Sequence, residues 1–384
     1  MPHAVKFSRY GGPEVLEVVE IAIPRPADGE VLVEVVAAGI NPAESAIREG
    51  RLSERWVSRF PQGQGSDFAG FVSALGRGVT SFEVNDAVIG HTSRGSHASH
   101  LVVPATNLTP KPRRLPWEVA GSLFVVGTTA WAAVNAVGVK AGDVVVVSAA
   151  AGGVGCIAAQ LARLRGATVI GTASPENFDF LRQLGVIPVA HGPGVVERIR
   201  AVTPHGVDAY LDTHGGDNIH TAVELGVSRY RINTIIDWEA IDEYGLNTMA
   251  DADSEATEVL AKVAHLVAQH KLVVPVSDIF PLERVREAFV ELDRGHTRGK
   301  IVLGMQPVNY RHQRVQAVDV KEAAVTVGVS TEHPHMDVYE NLPPVIGHLP
   351  HQAHPHPSDT RRSEPADDPL DRPQDRDRVG LPLG

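Results

Sequence analysis

Two rhythms of apolar and polar positions divide the chain. From Met1 to about Pro116, short β-rich runs such as Glu30–Val36 (EVLVEVV), Phe68–Leu75 and Ala87–Gly90 alternate with clusters of Gly, Pro and Asn. Their irregular spacing predicts a partly open β-barrel rather than a sandwich of regular hairpins. From about Trp117 to Gln269, apolar runs of five or six residues alternate with helical patterns, the sign of βαβ units on a parallel sheet. Strands are predicted at Val144–Ser148, Thr168–Thr172, Ile187–Ala190, Ala209–Asp212 and Ile232–Ile236. Helices are predicted near Gly155–Arg165, Asn177–Leu184, Gly194–Val202, Ile219–Gly226 and Glu255–Gln269.

Next, Leu272–Val276, Leu282–Asp293 and Lys300–Leu303 read as strand, helix and strand. That stretch is too short for a domain of its own and is expected to return to the first one. The expected fold is therefore α/β. A β-rich domain over 1–116 is completed by 270–304, and a dinucleotide-binding domain covers 117–269. Residues 305–384 form a third zone that holds 7 of the 18 His and 11 of the 27 Pro, with little periodicity. Such a segment cannot bury enough apolar surface to offset its ordering entropy and is expected to be a disordered tail. Its His333-Pro-His335 and His354-Pro-His356 pairs lack an acidic or thiol partner to complete a metal site.

Composition narrows the function. With 35 Lys+Arg against 46 Asp+Glu, the net charge of −11 disfavours nucleic acid and anionic membrane as partners. One cysteine, Cys156, excludes an internal disulfide and a multi-thiolate metal site. No apolar run is long enough to span a membrane, and the N-terminal residues lack signal-peptide features, so a cytosolic location is expected by default.

The strongest local motif is Asp143-Val-Val-Val-Val-Ser-Ala-Ala-Ala-Gly152-Gly153-Val154-Gly155, which runs from a buried strand into an amphipathic helix. That is the context a dinucleotide-binding turn requires. Gly152 would let the backbone approach a pyrophosphate, Gly155 would let the helix pack on the strand, and the helix N-terminus would offer N–H groups. Ala150 stands in for the first glycine of the usual spacing. The second strand ends in Thr172-Ala173-Ser174, with no Asp or Glu to hold a ribose 2′-OH, which favours NADPH over NADH. Glu176 follows two residues later without a neighbouring Lys or Arg, so NADH stays open.

Six segments then carry a resemblance: Gly11-Gly-Pro-Glu-Val-Leu16, Gly39-Ile-Asn-Pro42, Gly65-Ser-Asp-Phe-Ala-Gly70, Gly127-Thr-Thr-Ala-Trp131, Ala150-Ala-Gly-Gly-Val-Gly155 and Gly299-Lys-Ile-Val-Leu303. In this order the chain, from about Ala4 to Leu303, resembles the zinc-independent quinone oxidoreductase branch of the medium-chain dehydrogenase/reductase superfamily. The resemblance implies a GroES-like β-rich catalytic domain, a Rossmann-type cofactor domain and a homodimer. It also implies no metal: alcohol dehydrogenases of the superfamily place a cysteine ligand where Asn41 stands, and Gly-His-Glu where Gly65-Ser66-Asp67 stands.

The resemblance further implies individual roles. Asn41 would reach the nicotinamide ribose or the substrate oxygen, and Thr128 the nicotinamide region. Gly152, Gly153, Val154 and Gly155 would hold the pyrophosphate. Ser174 and His191 would meet the adenosine 2′-phosphate, and Lys300 would lie near the cofactor. Two departures stand out: Ala46 where relatives carry a pocket tyrosine, and a fifth strand ending Thr234-Ile-Ile-Asp237 instead of in glycine. Other polar residues have plainer readings: Asp67 as a local turn cap, Arg48 as a solvated helix residue, and His97 as the start of a structural strand beside His91, Arg94 and His100. The expected chemistry is hydride transfer to a quinone or α,β-unsaturated carbonyl, with Asn41 or Thr128 donating to the resulting oxyanion and solvent supplying the proton. An enoyl-thioester reductase and a non-catalytic NADPH-binding redox sensor are the alternatives.

Overall fold

A computed structural model describes residues 1–246 and 256–305. Five parallel strands run in the order Ile187–Ala190, Thr168–Ala173, Val144–Val147, Ala209–Asp212, Ile232–Thr234. Burial on both faces explains why the strands read as unbroken apolar runs. Along the central strand, Val145 and Val147 join one core with Ile157, Leu161 and Leu211. Val146 joins another core on the opposite face with Ile170, Tyr210 and Ile232. Helices Gly153–Leu164, Phe178–Gln183, Val195–Val202 and Asn218–Glu224 make the crossovers. The helix Phe124–Ala136 packs beside the first of them, and Ala256–Ala268 packs on Phe124–Ala136.

The β-rich part is built around Glu30–Gly39, the longest strand. It pairs antiparallel with Asp67–Leu75, His100–Pro104 and Lys300–Gly304. One strand serves three partners because Asp67–Leu75 takes one edge, while the other is divided between His100–Pro104, opposite residues 30–34, and Lys300–Gly304, opposite residues 37–39. Val31, Val33 and Val35 alternate into a core shared with Phe68, Val103, Phe289 and Ile301. The stretch after the parallel sheet thus returns to the first sheet. Met305, placed in the tail by composition, is buried, and its N–H still donates to Val36 O at 2.9 Å. The rest of that tail lies outside the described residues.

One strand assignment is corrected. Leu272–Val276 was expected to be a strand, whereas the strand is Val276–Pro281, parallel to Lys300–Gly304. Leu272 and Val274 are buried at alternate positions, which produces the strand-like pattern. Yet Pro275 lacks an N–H, and the backbone of Val273 is claimed by a side chain. Gln160 accepts from Val273 N at 2.8 Å and donates to Val273 O at 2.8 Å. A glutamine on the first crossover helix thus does the work of a neighbouring strand.

That arrangement is testable. Replacing Gln160 with Leu leaves Val273 N without a partner and Val273 O with only the weak Cys156 thiol donor at 3.4 Å, and an unpaired backbone group costs about 1–3 kcal/mol when buried. Urea unfolding of Gln160→Leu is expected to show a stability loss of about 2 kcal/mol or more.

Candidate active site

Where the two sheets meet, five polar side chains are buried together: Asn41, Glu44, Asp67, His97 and Lys300. Asn41 ends the run out of the long strand and caps the helix Pro42–Arg48, whose first residue, Pro42, needs no N–H partner. Glu44, one turn in, accepts from Asn41 N at 3.1 Å, Asn41 Nδ2 at 3.2 Å and Ser66 N at 3.1 Å. Asp67 accepts from Asn41 Nδ2 at 3.2 Å and from Val125 N at 2.9 Å. It therefore caps the helix Phe124–Ala136 of the parallel-sheet domain, not its own turn. The Lys300 ammonium donates to Ile40 O at 2.7 Å and Asn41 Oδ1 at 2.5 Å, and stands 3.8 Å from Asp67.

Burial dominates the electrostatics of this cluster. It pushes the Glu44 carboxyl up to about 7, against the opposing pull of Asn41 and Lys300. It raises Asp67 and lowers Lys300, each opposed by the other's charge. His97 is pushed down to about 4. It is neutral at physiological pH, with Nε2 donating to Gly39 O at 3.0 Å. Two carboxyls around one ammonium make a proton on Glu44 favourable, since it leaves the dry cluster neutral.

The hydrogen bonds change what Asn41 and Thr128 can do. Both hydrogens of Asn41 Nδ2 are spent on Glu44 and Asp67, and Oδ1 takes one from Lys300. Thr128 donates its hydroxyl hydrogen to Phe124 O at 2.7 Å. Toward a ligand each keeps an acceptor lone pair and no free donor. The expected donation to a substrate oxyanion does not fit this arrangement. Lys300 touches the glycine turn only through its alkyl stem, which lies 3.2 Å from where a Gly153 Cβ would stand.

The glycine turn has the shape a pyrophosphate needs. Gly152 has φ −76°, and a Cβ there would meet only Ala149 O, at 3.2 Å, leaving its outer side open. A Cβ on Gly155 would lie 2.4 Å from Ala149 O, so the helix can approach the strand only with glycine there. No side chain caps the first N–H groups of the helix Gly153–Leu164. Gly299 N donates to Ala151 O at 2.9 Å, tying the turn to the start of the Lys300–Gly304 strand.

At the end of the second strand, Ser174 Oγ and His191 Nε2 are 3.2 Å apart, so these two sites do come together. A cation missing from the local sequence arrives from 121 positions away. Arg298 donates to Asn177 Oδ1 at 2.8 Å and to Glu176 O at 3.2 Å. Being next to Gly299, it reaches from the glycine turn to the segment just after Ser174.

Several polar residues were misread or missed in sequence. Arg48 is fully buried rather than solvated, because its helix packs on Val285–Asp293. It donates to Gly11 O and Glu49, faces Asp293 at 3.7 Å and stacks over Phe289. The His91, Arg94, His97 and His100 group disperses: His91 stacks on Phe124, Arg94 binds Val57 O and Gln62, and His100 binds Ser99. Asp212 gave no sequence signal, yet it accepts from Ser148 Oγ and Thr234 Oγ1 at 2.8 Å, joining three strand ends. Cys156 is sealed in the core, its thiol pushed up to about 12 by burial.

Comparison with known proteins now has a geometry to attach to. Residues 27–113 match the family described as alcohol dehydrogenase GroES-like domain, and residues 189–303 match zinc-binding dehydrogenase. A quinone oxidoreductase of Homo sapiens is 29% identical over 320 residues, 78% of this chain and 97% of that protein. The structure of the quinone oxidoreductase from Coxiella burnetii is 30% identical with TM-score 0.70, covering 79% of this chain and 99% of that one. The chain belongs to the quinone oxidoreductase branch of the medium-chain dehydrogenase/reductase superfamily. A further member, the Escherichia coli quinone oxidoreductase complexed with NADPH, is 26% identical with TM-score 0.70, covering 79% of this chain and 99% of that one.

As a quinone oxidoreductase-like enzyme, the chain combines a GroES-like domain with a nucleotide-binding Rossmann domain. Among the described residues no helix is long and apolar enough to cross a membrane. Nor do three His, Cys, Asp or Glu among them converge as metal ligands.

Two outcomes are expected. A chelator such as EDTA leaves turnover unchanged; loss of activity restored by zinc would contradict the ammonium-filled cluster. Second, Glu44 keeps a proton from its ordinary 4.5 up to about 7 that the unfolded chain has released, so its contribution to stability falls as pH rises through that window. His97 acts oppositely, its contribution being lost as pH falls from 6.5 toward about 4. Glu44→Gln should therefore gain stability relative to the parent, on the order of 2–3 kcal/mol, between pH 5 and 8 in urea unfolding.

Proposed function

We propose that the protein is an NADPH-dependent reductase that passes hydride to a quinone or α,β-unsaturated carbonyl without a metal ion. The observation that carries the cofactor preference is the Ser174, His191 and Arg298 corner. It offers a hydroxyl and an imidazole where an NAD-binding enzyme would place a carboxylate, and the Arg298 guanidinium lies on the following turn, bonded to Glu176 O and Asn177 Oδ1. Backbone N–H groups of Gly153, Val154 and Gly155 would take the pyrophosphate.

When bound, the nicotinamide supplies the hydride. The remaining work belongs to the chain. Asn41 Oδ1 and Thr128 Oγ can each accept a hydrogen bond from the ribose or carboxamide side. Lys300, Glu44 and Asp67 lock the Asn41 amide in one orientation, so that acceptor is preorganised. Hydride adds to the conjugated acceptor and leaves negative charge on its oxygen. With the Asn41 and Thr128 donors committed inward, solvent at the domain cleft delivers the proton, giving hydroquinone or saturated ketone.

Fluorescence titration of the parent and two variants tests this reading. Gly152→Val is expected to stay folded by circular dichroism, because φ there suits any residue, and to lose both NADPH and NADH. Arg298→Gln is expected to weaken NADPH about tenfold or more while leaving NADH unchanged. A folded Gly152→Val protein that binds like the parent would remove the turn from the phosphate site. An enoyl thioester turned over far better than any quinone would move the protein to the thioester class.

A further inference from the structure

The tyrosine that relatives carry in the substrate pocket is absent, and Ala46 at that position is buried. An aromatic side chain, Trp238, lines a cavity beyond the end of the parallel sheet. This cavity, of about 380 Å³, opens between the turn after the Pro42–Arg48 helix and the segment after the fifth strand. Leu52, Arg51 and Arg55 form one wall, and Ile236 and Trp238 the other. That volume is within the range of small-molecule sites. One wall leads back to Asn41, and the other begins where the parallel strands end, which is where ligands of such sheets lie.

Trp238 is held firmly in place. Asp212 binds Ser148 and Thr234, and Thr234 Oγ1 accepts from Asp237 N at 3.0 Å. Asp237 then caps the helix Trp238–Tyr244 by accepting from Ala240 N at 3.0 Å. A run of hydrogen bonds therefore connects the first strand, just before the glycine turn, with the backbone that starts the Trp238 helix. The Arg55 guanidinium lies over that indole with Cζ 4.2 Å from the ring centroid. A flat, electron-poor group already occupies the electron-rich face.

We propose that Trp238 is the stacking platform for the hydride acceptor and that Arg55 is its placeholder. On the quinone-reductase reading, the favoured acceptors are fused-ring quinones, flat and electron-poor like the guanidinium they displace. Leu52 and Ile236 supply the apolar rim. Arg51 offers N–H donors to a carbonyl oxygen at the far end of the ring. Acyclic enones, having no ring to stack, gain nothing from the platform.

The test compares 1,4-naphthoquinone and 9,10-phenanthrenequinone with a small acyclic enone, using NADPH and the full chain. Trp238→Leu, which keeps apolar bulk, is expected to raise KM for the fused-ring quinones about tenfold, from the size of ring stacking. The enone KM and the Kd for NADPH should stay within about twofold. Trp238→Phe should restore most of the quinone KM, and Arg55→Ala should lower it. Equal effects on quinone and enone, or no effect on either, would overturn the platform. Equilibrium binding of naphthoquinone to the parent and to Trp238→Leu, followed by ultrafiltration, reads the platform independently of turnover. A parent that binds naphthoquinone through Trp238 but reduces nothing would sink the enzymatic reading and keep the platform. Equal binding by the two proteins would sink the platform alone.

Discussion

The Lys300 ammonium is the point on which the two halves of the molecule converge. It is a charge taken out of water, so it persists only because Ile40 O, Asn41 Oδ1 and the nearby Asp67 carboxylate surround it. Two partners, the adjacent Ile40 and Asn41, follow the long strand, and the third begins the strand Asp67–Leu75 paired with it. Asn41 starts the helix that builds one wall of the cleft, and Asp67 caps the helix Phe124–Ala136 across the domain boundary. Gly299, immediately before Lys300, is bonded to the glycine turn. Satisfying one buried cation therefore sets the position of the turn, the cleft wall and the interdomain helix together.

The same cluster is built around a cation that a side chain supplies. A cation is present, but it is covalently part of the chain and already coordinated by protein oxygens. It cannot bind a substrate oxygen as a Lewis acid would. On the proposed function its effect is orientation: a fixed amide would present an acceptor, and solvent would supply the proton.

Local rhythm made much of the fold legible. The strands Ile187–Ala190 and Ala209–Asp212 have the bounds their apolar runs predict, and the crossover helices lie within a few residues of theirs. Period and burial agree there because each element meets the core along its whole length. The misplaced strand at Leu272–Val276 shows the opposite case, since a side chain, Gln160, can satisfy an extended segment without any ladder. Site residues divided in the same way. Ser174 and His191 lie near each other on adjacent strands and were found together. Arg298, Asp212, Glu44 and Trp238 gain their meaning from partners brought close by topology, which periodicity does not encode. Arg48 was misread because a charged residue at a helix end is ordinarily solvated, and only packing of a second helix reverses that.

The topology also fixes an order of events during synthesis. The Rossmann sheet draws its five strands from one continuous span, Val144–Thr234, and can assemble once that span has emerged. The β-rich sheet cannot close then, because Val302 pairs with Gly39, with the whole Rossmann span between them. Its first strands must wait with an unpaired edge until almost the last described residue is made, and such edges invite aggregation. Lys300 arrives on that same late strand. The nascent chain thus carries Glu44 and Asp67 without their cation until that strand pairs, and the candidate site is the last part of the described fold to be completed.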